Sequence, residues 1–320
     1  SSEGTHVILT GHAGDGKSTI ALELYKKLIK KPMAEPLDKP LKSKEDAIGP
    51  DGKKIFIIKD LNELPLDSRV KELATAAKET SLSTRWCIVS NTGKLLETFS
   101  RLAQELNLNP RKIENELLDI LERNDPSVFY SVGAPFTIIN LSRVDNVEKS
   151  KLLLKNILNE NLWKECDYCN LKTYCPINLN VNVLRESSDI IYNRIEWVYR
   201  RLYEYGNRLT MRQITAHLAY SITSGLDCAD IVTYGPHHFQ HNLEDYLFSN
   251  RFFGFKGIIE DKTGQQITTI KYLMPAEFGS NPYLPLERCL WMREGGTKPV
   301  VPSLLLKVYE NLIEKIRSHT

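Results

Sequence analysis

The eight residues Gly11-His12-Ala13-Gly14-Asp15-Gly16-Lys17-Ser18 constrain this chain more than any other stretch. They satisfy G-x-x-x-x-G-K-[ST] in full. They also fall between a short apolar run, His6 to Thr10, and a segment with apolar residues at 20, 21, 24, 25, 28 and 29. The run reads as a buried strand and the period behind it as an amphipathic helix, closed by Pro32. Glycines let the backbone curl so that successive amide groups point inward, and the helix start adds partial positive charge. Such a loop suits a phosphate. Lys17 would neutralise the β and γ oxygens, the Ser18 hydroxyl would ligate Mg²⁺, and the binding segment would run from Gly11 to Thr19. A glycine-rich turn that matches by chance is the alternative, and the strand and helix on either side weigh against it.

Further apolar runs at Ile55 to Ile58, Arg85 to Val89 and Phe136 to Leu141 read as strands, the first two followed by helical periodicity. Asn109 as cap and Pro110 at the first helical position predict a helix through Arg123. Strands alternating with helices predict an α/β fold, a parallel sheet with helices on both faces. Lys31 to Lys54 carries four Pro, two Gly and many charges without a clear period, which predicts a loop or insertion. Helical patterns over 146–162 and 187–224 predict a mainly helical second domain. The Gly-, Pro- and aromatic-rich stretch Tyr234 to Gly296 offers one extended pair, Phe255 to Ile258 with Gln266 to Tyr272, and Ser303 to Ile316 reads as a closing helix. The expected organisation is a nucleotide-binding domain over 1–143, a helical lid over 144–233 and a mixed C-terminal region over 234–320. A length of 320 residues fits two domains with an appendage.

Composition excludes less. The 42 Lys+Arg against 40 Asp+Glu leave a net charge of +2, which rules out no partner. The 42% hydrophobic share is too apolar for a disordered chain. No apolar run approaches the ~20 residues that a bilayer demands, so a soluble protein with no membrane partner is expected. Ser1-Ser2-Glu3-Gly4 shows neither an apolar signal region nor an initiator Met, which suggests that something is missing upstream. Lys26, Lys27, Lys30, Lys31, Lys39, Lys42, Lys44, Lys53 and Lys54 could meet a phosphodiester backbone; a solvated helix face and a charged loop explain them more simply. The run from Tyr246 to Phe253 could stack on bases, and core packing again is simpler.

A phosphate loop with a bound metal needs a second acidic ligand, usually at the end of a neighbouring strand. Asp60 in Ile57-Ile58-Lys59-Asp60-Leu61-Asn62-Glu63 is the candidate for Mg²⁺, and Glu63 could polarise the attacking water. Either could equally be a solvated loop carboxylate. Asn91, ending the third strand, could orient water against the γ-phosphate or be a turn Asn shortly before Gly93. In Leu209-Thr210-Met211-Arg212-Gln213, Thr210 and Gln213 predict a capping box that sets Arg212 in the first helical turn. A cation there opposes the helix dipole, an opposition that an anionic partner such as the γ-phosphate would offset. A solvent-facing Arg is the other reading, and Arg208 is the runner-up.

Six cysteines in so long a chain suggest a reducing cytosol rather than a disulfide scaffold. Cys166, Cys169 and Cys175 form C-x2-C-x5-C, a spacing that can grip a structural zinc ion. The fourth ligand lies open between Cys228 and the group His237, His238 and His241. Three reduced thiols without metal are the alternative. Cys87 and Cys289 sit in apolar runs and read as packing residues.

The phosphate loop, the acidic end of one strand, the polar end of another, a fourth strand and then a helical domain resemble the AAA+ class of P-loop ATPases over about residues 4–225. In that class the Asn91 position is sensor 1 and the Arg212 position sensor 2. An arginine finger would be expected too, with Arg123 or Arg143 the candidates by topology. Thr10 to Thr19, the Lys59 to Glu63 strand end and the cysteine segment ending Cys175-Pro176 together look like the DptF family. The resemblance implies a cytoplasmic bacterial ATPase of DNA phosphorothioation-dependent restriction, using ATP and Mg²⁺. Its partners would be companion restriction proteins and DNA, met directly or through the complex, with a homo-oligomer possible. A STAND-type switch, which binds nucleotide, turns over slowly and oligomerises on activation, is the competing class.

Overall fold

The structure is a computed structural model that describes residues 5–80, 83–186, 189–254 and 263–274. The chain divides into two compact units, residues 1–144 and 145–320.

The first unit is an α/β layer structure. Its strands are β1 (His6–Thr10), β2 (Lys44–Ile48), β3 (Lys54–Ile58), β4 (Thr84–Val89), β5 (Ser127–Phe129) and β6 (Phe136–Asn140), in the spatial order β2-β3-β4-β1-β6-β5. The four inner strands are parallel, with Leu9 opposite Val89, Ile58 opposite Ile88 and Thr10 opposite Asn140. Both edges are antiparallel: β2 against β3 and β5 against β6. The sheet is therefore mixed, where the sequence predicts a parallel one. Lys44–Ile48, expected in a loop, is a strand because Gly49 and Gly52 turn the chain into a hairpin, with the Gly49 amide donating to the Lys53 carbonyl at 2.8 Å. A charged edge strand also blunts pairing with other chains.

Helices cover both faces because the inner strands are apolar on both sides. On one face Leu9, Ile57, Cys87 and Val89 meet Ala21, Leu24 and Leu28 of α1 (Lys17–Leu28). On the other, Ile8, Ile58, Ile88 and Phe136 pack under α2 (Leu66–Lys78), α3 (Thr92–Glu105) and α4 (Pro110–Leu121). Phe99 of α3 is fully buried there, edge-on to Phe129 and Phe136. Burying one such ring contributes about 2 kcal/mol, and truncating it to Ala would cost about 3–5 kcal/mol. Asn109 caps α4 as predicted, its side-chain oxygen accepting from the amides of Arg111 and Lys112.

The second unit is helical in its described residues: α5 (Ser150–Ile157), α6 (Glu160–Asp167), α7 (Pro176–Glu186), α8 (Asp189–Glu204), α9 (Met211–Thr223), α10 (Cys228–Asn242), α11 (Phe248–Phe252) and α12 (Thr268–Leu273). Helix α10 breaks at Gly235, whose φ of 72° is followed by Pro236. One core runs from Val147 to Leu273 and takes in Phe239, Phe248 and Phe252, beyond the expected boundary at 233. Buried Asn180 ties this core together. Its amide donates to the carbonyls of Ile222 and Tyr246, and its oxygen accepts from the Phe248 amide, all at 2.9 Å. Gln266 to Tyr272, expected to be extended, ends a 3-10 turn and then forms α12. The other half of that pair, Phe255 to Ile258, and the helix expected at Ser303 to Ile316 lie outside the described residues. Among the described residues no helix is long and apolar enough to cross a membrane.

Candidate phosphate site and cysteine segment

The loop from Gly11 to Gly16 leaves β1 and enters α1 with three glycines at positive φ: 140° at Gly11, 95° at Gly14 and 90° at Gly16. Gly11 is required for a second reason, since a Cβ there would stand 3.0 Å from the Ser142 amide nitrogen. Lys17 is buried, and its ammonium donates to the carbonyl oxygens of Gly11 at 3.0 Å and His12 at 2.7 Å. The loop is further closed by Asp15, whose carboxylate accepts from the His12 amide at 2.9 Å. Helix α1 starts without a side-chain cap and without an acidic residue in its first turn. Its leading N–H groups and dipole are thus uncompensated by its own side chains, which is the condition for binding an anion. His12, Ala13, Ser18 and Thr19 are exposed around this loop.

Because the four inner strands run parallel and in register, their carboxyl ends share one sheet edge. Gly11 follows β1, Lys59 and Asp60 follow β3, Ser90 and Asn91 follow β4, and Leu141 and Ser142 follow β6. The Ser90 amide donates to the Leu9 carbonyl at 3.0 Å, fastening the β1 and β4 ends to each other. Asp60 caps the 3-10 turn Leu61–Glu63 and accepts on Oδ1 from the Asn62 backbone amide at 3.0 Å and from the Asn62 side-chain amide. The Asn62 oxygen accepts in turn from the Asn91 amide at 3.2 Å and the Ser90 hydroxyl at 3.4 Å. Asn62 is therefore the brace between the acidic strand end and the polar one. Its sequence position carries no signal for this role: Asp60 marks an Asx turn, which any residue two places on could complete.

The other expected site residues divide. Asn91 is half-buried at the start of α3, and its side chain makes no cap hydrogen bond. Glu63 is exposed and lies 3.7 Å from the Lys59 ammonium. Arg143 donates from Nε to the Leu121 carbonyl, and Arg123 is exposed. Arg212 belongs to the second unit, exposed in the first turn of α9 behind a Thr210/Gln213 capping box of the expected kind.

Part of the basic stretch is paired within the unit. Lys26 folds back onto the Met33 carbonyl, Lys31 pairs with Glu35 and Asp38, Lys44 with Glu72, and Lys54 with Asp46. In the aromatic stretch Phe248, Phe252, Phe253 and Arg251 are buried, so core packing accounts for it.

In the cysteine segment, the turns Cys169 amide to Cys166 carbonyl, Lys172 amide to Cys169 carbonyl and Cys175 amide to Leu171 carbonyl coil the chain back on itself. Cys166 is raised in pKa by burial and then by Cys175, Cys228 and Cys169; Cys175 is raised by burial and by Cys169 and Cys228, against amide hydrogen bonds from Asn178 and Ile177. Cys166 and Cys175 thus each lie within electrostatic reach of the other three thiols. Among the described residues, however, no three His, Cys, Asp or Glu side chains already stand close enough to hold a metal ion. His237, His238 and His241 are engaged differently: the His237 ring lies tilted against that of His241, and His238 contacts the Tyr246 hydroxyl at 2.9 Å. Cys87 is buried in the sheet and pushed up to about 12, an inert packing thiol. Cys289 lies outside the described residues.

Compared with protein-family models, curated proteins and solved structures, the chain matches none of them.

Proposed function

We propose that this chain is a P-loop ATPase, AAA+-like in arrangement, that binds and hydrolyses ATP at the carboxyl edge of its sheet. The observation that carries the reading is Lys17: its buried ammonium is held by two loop carbonyls inside a turn of three positive-φ glycines, ahead of an uncapped helix. That combination offers amide donors, a helix dipole and one fixed cation to a triphosphate. In this reading Gly11 to Thr19 wrap the phosphates. Ser18 and the second oxygen of Asp60 would hold Mg²⁺, which would supply charge neutralisation between the β- and γ-phosphates. Asn91 would orient the attacking water, held at the correct height by Asn62. The resemblance to the AAA+ class gives the second unit the part of a lid and Arg212 that of sensor 2.

The order of strands supports the same reading, because β4 with Asn91 runs between β1 and the Asp60 strand, lining up three functional ends at one edge. The resemblance to the DptF family adds the setting: a cytoplasmic bacterial restriction complex in which turnover drives conformational change or DNA processing alongside companion proteins.

Lys17→Ala is the test. Binding of a fluorescent ATP analogue and phosphate release should both be lost while the circular dichroism spectrum is retained; a folded variant with unchanged affinity and turnover would refute the assignment. One observation favours the STAND-type reading as second. Glu63 faces solvent beside Lys59, so the water-activating carboxylate is not held over a substrate and turnover would be slow. Turnover stimulated by DNA and companion proteins supports the first reading. Nucleotide-dependent assembly with little turnover supports the second.

A further inference from the structure

The least buried helix of the second unit raises a question that the nucleotide reading leaves aside. Helix α6 buries no residue fully; Leu162 is 69% exposed and Tyr168, just beyond it, 89%. Its main inward anchor is Trp163, half-buried with its indole N–H donating to the Ile157 carbonyl at 2.7 Å. An eight-residue helix that buries no residue fully does not hold its place by propensity alone. Something else fastens it.

The chain carries a means of fastening at that place. Cys166 lies in the last turn of α6 and Cys169 one turn further on. Cys175 directly precedes Pro176, the first residue of α7, and Cys228 is the first residue of α10. Two helices, α7 and α10, therefore begin at or directly after these cysteines. The Cys175 sulfur also receives hydrogen bonds from the Ile177 and Asn178 amides. Amide-to-sulfur bonds of this kind spread the charge of a metal-bound thiolate. The Asn178 side chain donates to the Lys172 carbonyl at 3.0 Å, tying the intervening loop to α7.

We propose that Cys166, Cys169, Cys175 and Cys228 together bind one zinc-class divalent ion, which staples α6 and the following loop to the amino ends of α7 and α10. Four thiolates match the preference of zinc for a closed tetrahedral sulfur site, with no position left for water, so the role is structural. Successive turns coil Cys166, Cys169 and Cys175 into one segment, and Cys166 lies within electrostatic reach of Cys228, while no three of the described side chains stand at ligand spacing. The ion would have to draw the four sulfurs together. Binding releases the thiol protons to solvent, and the ion's charge replaces the repulsion that four thiolates would otherwise feel. Cys228 fills the fourth place rather than a histidine, since His238 is engaged with Tyr246 and lies beyond the break at Gly235.

The test uses the full chain, purified under reducing conditions without chelator. Elemental analysis should give one zinc per chain, and replacement by Co²⁺ should give the visible bands of a tetrahedral thiolate complex. Zinc should protect the four thiols from alkylation without changing the reactivity of Cys87. Cys228→Ala should lose the metal, while Cys228→His, which restores a ligand, should retain it, with folding of each checked by circular dichroism. ATP affinity should be unaltered in both, so this outcome is independent of the phosphate site. Absence of zinc with alkylation unchanged by added zinc would overturn the proposal, as would a Cys228→Ala variant that keeps full metal content. A disulfide within the set in the reduced chain would overturn it as well.

Discussion

Lowering the pH from 7 towards 4 should destabilise the second unit through one side chain, His217. Its ring is fully buried on α9, with Nδ1 2.9 Å from the Tyr199 hydroxyl and Nε2 2.8 Å from the Phe252 carbonyl oxygen. A carbonyl only accepts, so Nε2 carries the proton and Nδ1 accepts from the hydroxyl. The neutral ring is satisfied at both ends. A second proton would place a charge among Tyr199, Phe252 and the core, and burial accordingly pulls the pKa from 6.5 to about 4, against the upward pull of the Phe252 carbonyl. At 1.36 kcal/mol per pH unit, this depression corresponds to about 3 kcal/mol. The folded value lies below the unfolded one, so the unfolded chain binds more protons between them. The stability is therefore complete above about pH 6.5 and is lost as the pH falls towards 4. Tyr199, raised well above its ordinary value by burial, stays neutral throughout. Urea melts at a series of pH values, followed by tryptophan fluorescence, would measure the slope. His6, in the first unit, is also lowered by burial, so the wild-type slope alone does not isolate His217. Comparison with His217→Gln does: the variant should be less stable at pH 7 and should lose less on acidification. Equal slopes for the two proteins would refute the argument.

Two further substitutions test the first unit. Asn62→Ala keeps the backbone N–H bond to Asp60 but removes the side-chain brace to the β4 end, and should lower Mg²⁺-dependent nucleotide affinity by about tenfold with little change in melting temperature; a fall in melting temperature with affinity preserved would make Asn62 a purely structural residue. Gly133 has a φ of 123°, and a Cβ there would collide with the Ala77 carbonyl oxygen that accepts from the Ala134 amide at 2.8 Å. Gly133→Ala should therefore destabilise the first unit by about 2 kcal/mol or more, and thermal melts showing no loss would contradict the placement of this turn.

What the sequence disclosed depended on whether a rule acts locally. The Asn109-Pro110 start of α4 and the Thr210/Gln213 box of α9 were legible because each is set by residues within one helical turn. The edge strand β2 was not. Its residues Lys44-Glu45-Asp46-Ala47-Ile48 bury only Ala47, so the alternation that marks a half-buried strand never develops, and pairing with β3 supplies the backbone partners instead. The three-residue β5 is too short to show a period at all. Gln266 to Tyr272 misled for the opposite reason. Its Thr and Ile residues favour strands in isolation, but Ile270 and Leu273 are buried on a helix, and Leu273 joins a core that runs back to Val147.

The same distinction applies to the site. Gly11 to Ser18 announce themselves because one backbone loop must carry glycines, lysine and hydroxyl at fixed separations. The residues that meet this loop come from β3 and β4, and their spacing along the chain carries no information about their proximity. Asn62 shows the consequence. It stands between two carboxylates, Asp60 and Glu63, and the eye goes to the charges. Yet a carboxylate at a strand end is useful only if its lone pairs are aimed, and here a neutral amide helps to aim them: the Asn62 side chain donates to Asp60 beside its own backbone N–H and accepts from the neighbouring strand end. Replacing Asn62 by Asp would keep the acceptor and lose the side-chain donor, setting two carboxylates against each other where one is now satisfied. Positions of this kind are found by asking what orients a charged group, a question that only the register of neighbouring strands can answer.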